Sequence, residues 1–301
     1  MLVQNRGKIL EAIGNTPLIR MEDTLVKCEF LNPSGSVKDR YAKYAVERAE
    51  REGLLKSGDT IVEATSGNMG NALAMVAAAK GYKMLVIMPK GFSHERLLIS
   101  QAYGAQVRLV EEFRVDIAVE LAKEFGGREG YYCPRQFENP WNIEENNTWL
   151  GQEILSQLPK DVTIDAFVQG VGTGGTLIGV GQALRERHNP KIKLFAMEPT
   201  ESPTILTGRS AAHQIEGISD GFVPALFEMG RKDIQDVITV SSVDAIKAMR
   251  SLAQEQGFFV GPSSGANWVA VQEIRSRYPS LKTILTLFCD EGEKYLTEYF
   301  R

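Results

Sequence analysis

The sequence predicts an α/β protein with two doubly wound lobes and largely parallel sheets. Short runs of β-branched residues alternate with helical patterns along most of the chain, as parallel strands joined by crossover helices require. The chain has 301 residues. Because single hydrophobic cores stop growing at about 250–300 residues, we expect two lobes rather than one.

The first half of the chain contains four predicted strands and four predicted helices. The strands are 25–30, 60–64, 84–89 and 105–110, and the helices lie near 37–53, 68–80, 93–102 and 115–125. Each helix has a glycine close to its end, where a left-handed residue often terminates a helix. These glycines are Gly53, Gly81, Gly104 and Gly126.

The second half repeats the alternation and adds two irregular segments. Its predicted strands are 166–169, 193–198, 236–240 and 283–288. The polar segment 134–147 carries two prolines and is predicted to cross between the lobes. The Gly-rich region from Pro199 to about Lys232 is predicted to be irregular and to face the functional site, because long loops in compact domains tend to be functional.

Composition excludes several classes of function. The chain carries 34 basic and 38 acidic residues, for a net charge of −4, and has no basic block, so we expect no nucleic-acid partner. It also lacks a signal peptide pattern and the run of about 18 apolar residues that a membrane span needs, which predicts a cytoplasmic protein without a membrane partner. Cys28, Cys133 and Cys289 are far apart, so we predict buried thiols and no metal site.

The first of three glycine-bearing loops is formed by Thr65, Ser66, Gly67 and Asn68, which follow a strand and open a helix. Backbone N–H groups at such a helix start bind anions, so the loop is a candidate site for a carboxylate or a phosphate. An ordinary N-cap turn is the alternative.

The second loop satisfies G-x-G-x-x-G with Gly170, Gly172 and Gly175, and Glu198 closes the next strand. This arrangement is typical of a dinucleotide site in an NAD-dependent dehydrogenase. The hydroxyl-flanked turn Thr173–Thr176 is equally suited to a single terminal phosphate. The motif alone does not separate the two.

The third loop reads G-x-S-x-G from Gly261 to Gly265, as in a hydrolase nucleophile elbow. In that fold the catalytic histidine follows the serine in the chain. All three histidines, His94, His188 and His213, precede it here, so chain order argues against a serine hydrolase.

Lys38 follows the turn residues Pro33, Ser34 and Gly35, with Ser36 as the predicted helix cap. A lysine just inside a helix start faces the positive end of the helix dipole, which favours loss of its proton. An amine, an anion loop, a phosphate loop and a buried hydroxyl loop together match pyridoxal phosphate, whose aldehyde takes a lysine and whose phosphate takes a Gly-rich helix start.

Seven motifs occur in the order found in the cysteine synthase and cystathionine β-synthase family of fold type II pyridoxal phosphate enzymes, which the chain resembles. They are IGNTPLIR (13–20), NPSGSVKDR (32–40), TSGNMG (65–70), QFENPWN (136–142), GTGGT (172–176), EGISDGFVP (216–224) and GPSSGA (261–266). The resemblance implies a homodimer. It also implies a smaller mobile lobe at 36–140 and a larger lobe made of 1–35 and 141–301.

The resemblance also implies roles for individual residues. Lys38 forms the Schiff base, Asn68 bonds the phenolic oxygen of the cofactor, and Ser263 faces its ring nitrogen. The phosphate is held by Gly172, Thr173, Gly174, Gly175 and Thr176. The substrate carboxylate is bound by Thr65, Ser66, Gly67 and Gln136.

The implied reaction is β-replacement or β-elimination on a serine- or cysteine-type amino acid through an aminoacrylate. Lys38 removes the α-proton, and sulfide, a thiol or water is the nucleophile. The main prediction is a cysteine synthase that joins O-acetylserine or O-phosphoserine to sulfide.

Three positions depart from the family pattern. Met69 replaces a threonine, Glu216 stands where simple synthases have glutamine, and Asp220 stands where they have a small apolar residue. Two carboxylates in a substrate-facing loop repel anionic nucleophiles and can take a proton from neutral ones. Glu216 or Asp220 is therefore a candidate general base. The alternative activity is a cysteine-consuming, hydrogen sulfide-releasing lyase or a cystathionine- or lanthionine-type synthase.

Overall fold

The computed structural model describes residues 7–65, 67–91, 93–111 and 114–300. Its strands are β1 (Leu18–Met21), β2 (Thr24–Cys28), β3 (Thr60–Ala64), β4 (Lys83–Pro89), β5 (Gln106–Val110), β6 (Tyr131–Tyr132), β7 (Ala166–Gly170), β8 (Lys193–Pro199), β9 (Ile234–Val240) and β10 (Ile284–Phe288). They form two sheets in an α/β arrangement, which confirms the predicted fold class.

The larger sheet has the strand order β1-β2-β10-β7-β8-β9, and the smaller sheet has the order β5-β4-β3-β6. Every pairing is parallel except that of β1 with β2. The central strands β7 and β10 are buried at every position, as their apolar sequences require when helices cover both faces of a sheet. The boundaries of the two lobes, at residues 36 and 140, stay a prediction.

The helices lie between the strands and on both sides of the sheets. They are α1 (Lys38–Arg51), α2 (Asn68–Lys80), α3 (His94–Ala102), α4 (Val115–Gly126), α5 (Trp141–Glu145), α6 (Gly151–Gln157), α7 (Gly175–Arg187), α8 (Thr204–Thr207), α9 (Ala225–Gly230), α10 (Ser242–Gln256), α11 (Pro262–Arg277) and α12 (Leu296–Tyr299). No helix among these described residues is long and apolar enough to cross a membrane.

Two segments are more regular than the sequence suggests. The crossing segment 134–147 becomes helical at Trp141, and a π-helical turn at Asn146–Leu150 joins α5 to α6. The region after Pro199 contains the short helices α8 and α9. Strands β1 and β6 were not predicted, because four and two residues are too few for a periodic pattern.

Three of the four predicted terminal glycines do end their helices with a positive φ: Gly53 at 72°, Gly81 at 85° and Gly104 at 87°. Gly126 also lies at the end of its helix, as predicted, but its φ is not positive. It is the last residue of α4, and a Cβ there would lie 2.5 Å from the Cβ of Cys133. Close packing rather than backbone conformation requires glycine at this position.

A buried ionic network anchors the start of α1. Arg40 does not pair with its neighbour Asp39. Its Nε and Nη2 donate to Glu29 at 2.7 and 2.8 Å, and its Nη2 also lies 2.8 Å from Glu153. Lys27 donates to Glu153 at 2.7 Å. Burial alone would raise the pKa of Glu153, but the bonds and charge of Arg40 outweigh it and lower that pKa to about 2.

Replacing Arg40 with Met should destabilise the fold strongly, because it leaves the fully buried Glu29 carboxylate without its main partner. Breaking a buried pair costs about 3–5 kcal/mol, and we expect a loss of that size in the free energy of unfolding measured with urea. Arg114→Met is the control, since it removes a solvent-exposed pair with Asp116, which should contribute little to stability. Equal losses in the two variants would contradict the role of the network.

Candidate functional site

One cleft brings together most of the predicted site residues. It lies at the carboxyl ends of β3, β7 and β10, where helices α1, α2, α7 and α11 begin. Its lining includes Lys38, Thr65, Asn68, Gln136, Gly172, Thr173, Gly174, Thr176, Asp220 and Ser263. Gly67, Gly175 and Glu216 do not line this cleft, and Ser66 lies outside the described residues.

The turn before α1 holds Lys38 at the cleft. Gly35 has a φ of 75°, and the Oγ of Ser36 accepts from the backbone N–H of Lys38 at 3.3 Å. The buried Asp39 accepts from the N–H of Ser34 at 2.6 Å and from its hydroxyl. Burial raises the pKa of Asp39 to about 6, against the lowering effect of these bonds. Both sides of the turn are therefore fixed by side-chain hydrogen bonds.

The loop between β7 and α7 lets other backbone segments approach closely. A Cβ at Gly172 would lie 2.5 Å from the carbonyl oxygen of Gly217, and a Cβ at Gly174 would lie 2.7 Å from the N atom of Phe227. The Oγ1 of Thr173 accepts from the N–H of Gly175 at 3.2 Å. The result is a tight turn at the start of a 13-residue helix, which suits a terminal phosphate.

The loop before α2 rests on a buried arginine that sequence reasoning missed. Thr65 accepts from the N–H of Gly67 at 2.9 Å, and a Cβ at Gly67 would lie 2.3 Å from the Cδ of Arg96. The guanidinium of Arg96 is fully buried, stacks 5.1 Å from the ring centroid of Tyr295 and forms an ion pair with Glu216. Arg96 sits in an amphipathic helix, so its pattern gave no sign of this position.

Asn68 contacts two charged residues from the far end of the chain. Its Nδ2 donates to the Oδ2 of Asp290 at 2.6 Å, and its Oδ1 accepts from the Nζ of Lys294 at 3.0 Å. Both partners follow strand β10. The charged run that contains them has no motif that would single them out in the sequence.

Gln136 is attached to the end of β3. Its backbone N–H donates to Glu63 at 3.1 Å, and its Nε2 donates to the carbonyl oxygen of Ala64 at 2.7 Å. Glu63 is buried, and burial raises its pKa to about 7 in spite of the hydrogen bonds from the backbone of Gln136 and Ala64. The position of Gln136 thus depends on a carboxyl group that titrates near neutral pH.

Ser263 and Cys289 both line the cleft. Ser263 is buried near the start of α11. Cys289 is buried as predicted but also lines the cleft, and its Sγ accepts from the Nε2 of Gln169 at 3.1 Å. Burial raises the pKa of its thiol to about 11, so the thiol is neutral. Its place directly after a parallel strand was the signal that could have identified it.

The three departures from the family pattern occupy different positions. Met69 is buried and lines the cleft. Asp220 lines both the cleft and a neighbouring cavity of about 700 Å³, whereas Glu216 lines only that outer cavity. Besides its ion pair with Arg96, Glu216 accepts from the hydroxyl of Tyr299 at 3.3 Å. Of the two acids, only Asp220 reaches the cleft.

Glu198, the acid of the dinucleotide alternative, is buried in strand β8. Its carboxylate accepts from the N–H groups of Ile205 and Leu206 at 2.7 and 3.1 Å, and it does not line the cleft. Glu198 is therefore not placed to bind the ribose of a dinucleotide in the cleft, which argues against the dehydrogenase alternative.

The cleft fits an aromatic aldehyde that carries one phosphate. It offers an amine at Lys38, an amide at Asn68, a hydroxyl at Ser263 and a helix start with close-packed glycines. These are the groups that pyridoxal phosphate requires for its aldehyde, phenolic oxygen, ring nitrogen and phosphate.

Comparisons with known proteins agree with this fit. A family model described as pyridoxal-phosphate dependent enzyme matches residues 9–290. Cysteine synthase from Staphylococcus aureus is 42% identical over 298 residues, which cover 96% of this chain and 95% of that protein.

Two solved structures have the same fold over nearly the whole chain. The O-acetylserine dependent cystathionine β-synthase from Helicobacter pylori has a TM-score of 0.90 at 36% identity and covers 96% of this chain and 97% of its own. A hydrogen sulfide-producing enzyme from Fusobacterium nucleatum has a TM-score of 0.91 at 35% identity and covers 99% and 92%.

Replacing Glu63 with Gln should remove a pH dependence of stability. The folded pKa of Glu63, about 7, lies above the ordinary value of 4.5, so the folded state keeps a proton that the unfolded state loses between these values. Relative to Glu63→Gln, the wild-type free energy of unfolding should fall by about 3 kcal/mol as pH rises from 4.5 to above 7. Urea denaturation at several pH values measures this difference, and parallel curves for the two proteins would contradict it.

Proposed function

Because the chain belongs to the pyridoxal-phosphate dependent enzyme family, we propose that it catalyses β-replacement on a serine-type amino acid, in the manner of a cysteine synthase. The principal support is that Lys38, Asn68, the glycine turn at 172–176 and Ser263 surround one cleft in a chain that is 42% identical to a cysteine synthase. The amino acid would be O-acetylserine or O-phosphoserine, and sulfide would be the nucleophile.

The cofactor would be held by the residues that the resemblance assigns. Lys38 would bind its aldehyde, Asn68 its phenolic oxygen, Ser263 its ring nitrogen and the turn Gly172–Thr176 its phosphate. When bound, pyridoxal phosphate draws electrons from the α-carbon of the amino acid, which makes the α-proton acidic and lets the β-substituent leave.

Lys38 would act on the α-proton. Its side chain is partly buried at the wall of the cleft, on a turn that Ser34, Ser36 and Asp39 hold in place. A fixed amine at this point can take the proton from the α-carbon and return it to a product, which is general acid–base catalysis by a positioned group.

The start of α2 would bind the substrate carboxylate. In this proposal its ligands are Thr65, Ser66, Gly67 and Gln136. Thr65 and Gly67 precede the positive end of that helix, and Thr65 and Gln136 line the cleft. The smaller lobe at 36–140 carries all four residues, so we propose that it moves toward the larger lobe when the substrate binds.

A second candidate function is release of hydrogen sulfide from cysteine, or use of a thiol as nucleophile. Asp220 supports it, since this acid lies where the cleft meets the outer cavity and is suited to take a proton from a neutral nucleophile. Glu216 is the weaker candidate base, because it lines only the outer cavity and not the cleft. Two of the similar solved structures, both from Fusobacterium nucleatum, are of hydrogen sulfide-producing enzymes.

The proposed setting is a cytoplasmic homodimer. Both parts of this proposal rest on the family resemblance and on the sequence. Size-exclusion chromatography with light scattering measures the oligomeric state directly.

Spectral titration of the purified protein tests the proposed function. The protein should be yellow, borohydride should bleach it, and O-acetylserine, O-phosphoserine, serine or cysteine should change its spectrum. Analysis of sulfide and amino-acid products then separates the two candidate reactions. A colourless protein that binds a nicotinamide dinucleotide would refute the proposal.

Replacing Lys38 with Ala should abolish the borohydride-fixed cofactor and lower turnover by at least about 10²–10⁴-fold, the usual contribution of a general acid–base group. Lys43→Ala is the matched control, because Lys43 lies on the same helix and donates to the carbonyl oxygen of Leu10 at 2.9 Å. Mass spectrometry after borohydride treatment should find the cofactor attached in the control only. Retained attachment in Lys38→Ala would exclude the assigned role.

Replacing Asp220 with Asn should lower turnover with a thiol or water, by about 10²–10⁴-fold, and leave the spectral change on adding O-acetylserine intact. The reason is that a general base acts on the nucleophile, after the first substrate has reacted. Stopped-flow absorbance separates the two stages. Glu216→Gln is the comparison, and an equal loss of both stages in Asp220→Asn would reject this base.

A further inference from the structure

Lys294 is a fully buried lysine that the proposed chemistry does not use. It lies in a single helical turn, Gly292–Tyr295, shortly after strand β10. Its Nζ donates to the carbonyl oxygens of Ser34 and Gly35 at 2.7 and 3.1 Å and to the Oδ1 of Asn68 at 3.0 Å. One ammonium group therefore joins the turn before Lys38 to the side chain of Asn68.

Asp290 is the second charged neighbour of Asn68. Its Oδ2 accepts from the Nδ2 of Asn68 at 2.6 Å and from the hydroxyl of Tyr295 at 2.5 Å. The carboxylate is almost completely buried. Around it, the backbone of Cys289 and Glu291 bonds to that of Val37 and Gly35, so the whole segment lies against the turn that carries Lys38.

These two charges allow only one orientation of the Asn68 amide. In that orientation the amide oxygen faces the ammonium and the amide nitrogen faces the carboxylate. The flipped amide would place oxygen against carboxylate and nitrogen against ammonium, and both contacts would be repulsive. A side-chain amide has two N–H donors, and Asp290 engages one of them. The other remains available at the cleft that Asn68 lines.

We propose that Asp290 and Lys294 are positioning residues that turn the donor side of the Asn68 amide toward the phenolic oxygen of the cofactor. The same ammonium ties Asn68 to the turn that carries Lys38, so the contacts to the phenolic oxygen and to the aldehyde keep a fixed spacing. This inference rests on the proposed function, since it requires pyridoxal phosphate in the cleft.

The orientation that Asp290 and Lys294 give to the Asn68 amide affects the ionisation of the cofactor. A donor held at the phenolic oxygen favours its ionised form, because a hydrogen bond to the charged form of a group stabilises that form. Without Lys294 or Asp290 the amide can turn its oxygen to the cofactor, and the neutral phenol is then favoured. The visible spectrum of the bound cofactor reports the ratio of these two forms.

The test compares Lys294→Met, Lys294→Arg and Asn68→Ala in the cofactor-loaded protein. Lys294→Met should shift the spectrum and its pH titration in the same direction as Asn68→Ala, and should weaken binding of pyridoxal phosphate to the apoprotein by about tenfold to a hundredfold, the value of one hydrogen bond to a charged group. Lys294→Arg should restore most of the wild-type spectrum and most of the binding of pyridoxal phosphate. The variant that combines Lys294→Met with Asn68→Ala should shift the spectrum no further than Asn68→Ala alone.

Lys27→Met is the matched control. Lys27 is also fully buried and donates to three acceptors, the carbonyl oxygen of Thr16 at 2.5 Å and the side chains of Glu153 and Gln157 at 2.7 Å each. Its removal should lower the melting temperature and leave the spectrum unchanged. A purely structural role for Lys294 would give the same result in Lys294→Met, and that outcome overturns the proposal.

Asp290→Asn provides a second route if Lys294→Met does not fold. Loss of the carboxylate removes the charge that fixes the amide nitrogen, so a spectral shift toward that of Asn68→Ala supports the proposal, and a wild-type spectrum overturns it. A wild-type protein without a borohydride-sensitive visible band would instead refute the proposed function. A wild-type band that no variant moves refutes this inference alone.

Discussion

The parallel direction of the strands is the constraint on which the cleft depends. Parallel strands place their carboxyl ends at one edge of a sheet, so the segments after β3, β7 and β10 all reach the cleft. The starts of α2 and α7, directly after β3 and β7, bring unpaired backbone N–H groups to the cleft. An anionic ligand is therefore recognised largely by the backbone, and few side chains are left to define the chemistry.

Buried charged groups stabilise this arrangement. Arg40, on the helix that carries Lys38, joins Glu29 to Glu153, and Arg96 joins the loop before α2 to Glu216. Removing one partner of such a pair leaves a buried charge without its counter-charge, so replacing either residue alone should destabilise the fold. The titrating carboxyl groups of Asp39 and Glu63 lie directly beside cleft residues, which links the geometry of the cleft to pH.

Local patterns were sufficient to predict the fold class, most strands and many of the residues that line the cleft. Lys38, Asn68, the turn at 172–176 and Ser263 each lie in a short motif, and the motifs indicate one cofactor only when they are taken together. Asp290 and Lys294 could not be found in this way, because they meet Asn68 across 222 and 226 positions of sequence. The packing that requires glycine at position 126 could not be found for a related reason, since its neighbour Cys133 comes from the segment after β6.

The strand order of the larger sheet also determines when the cleft can form. Strands β1 and β2 reach the rest of that sheet only through β10, which is made of residues 284–288. During synthesis the first two strands therefore cannot join β7 until residues 284–288 have been made. Such distant pairing slows folding and leaves strand edges exposed in the meantime. The cleft, whose wall includes Cys289 directly after β10, thus cannot form before this late strand is in place.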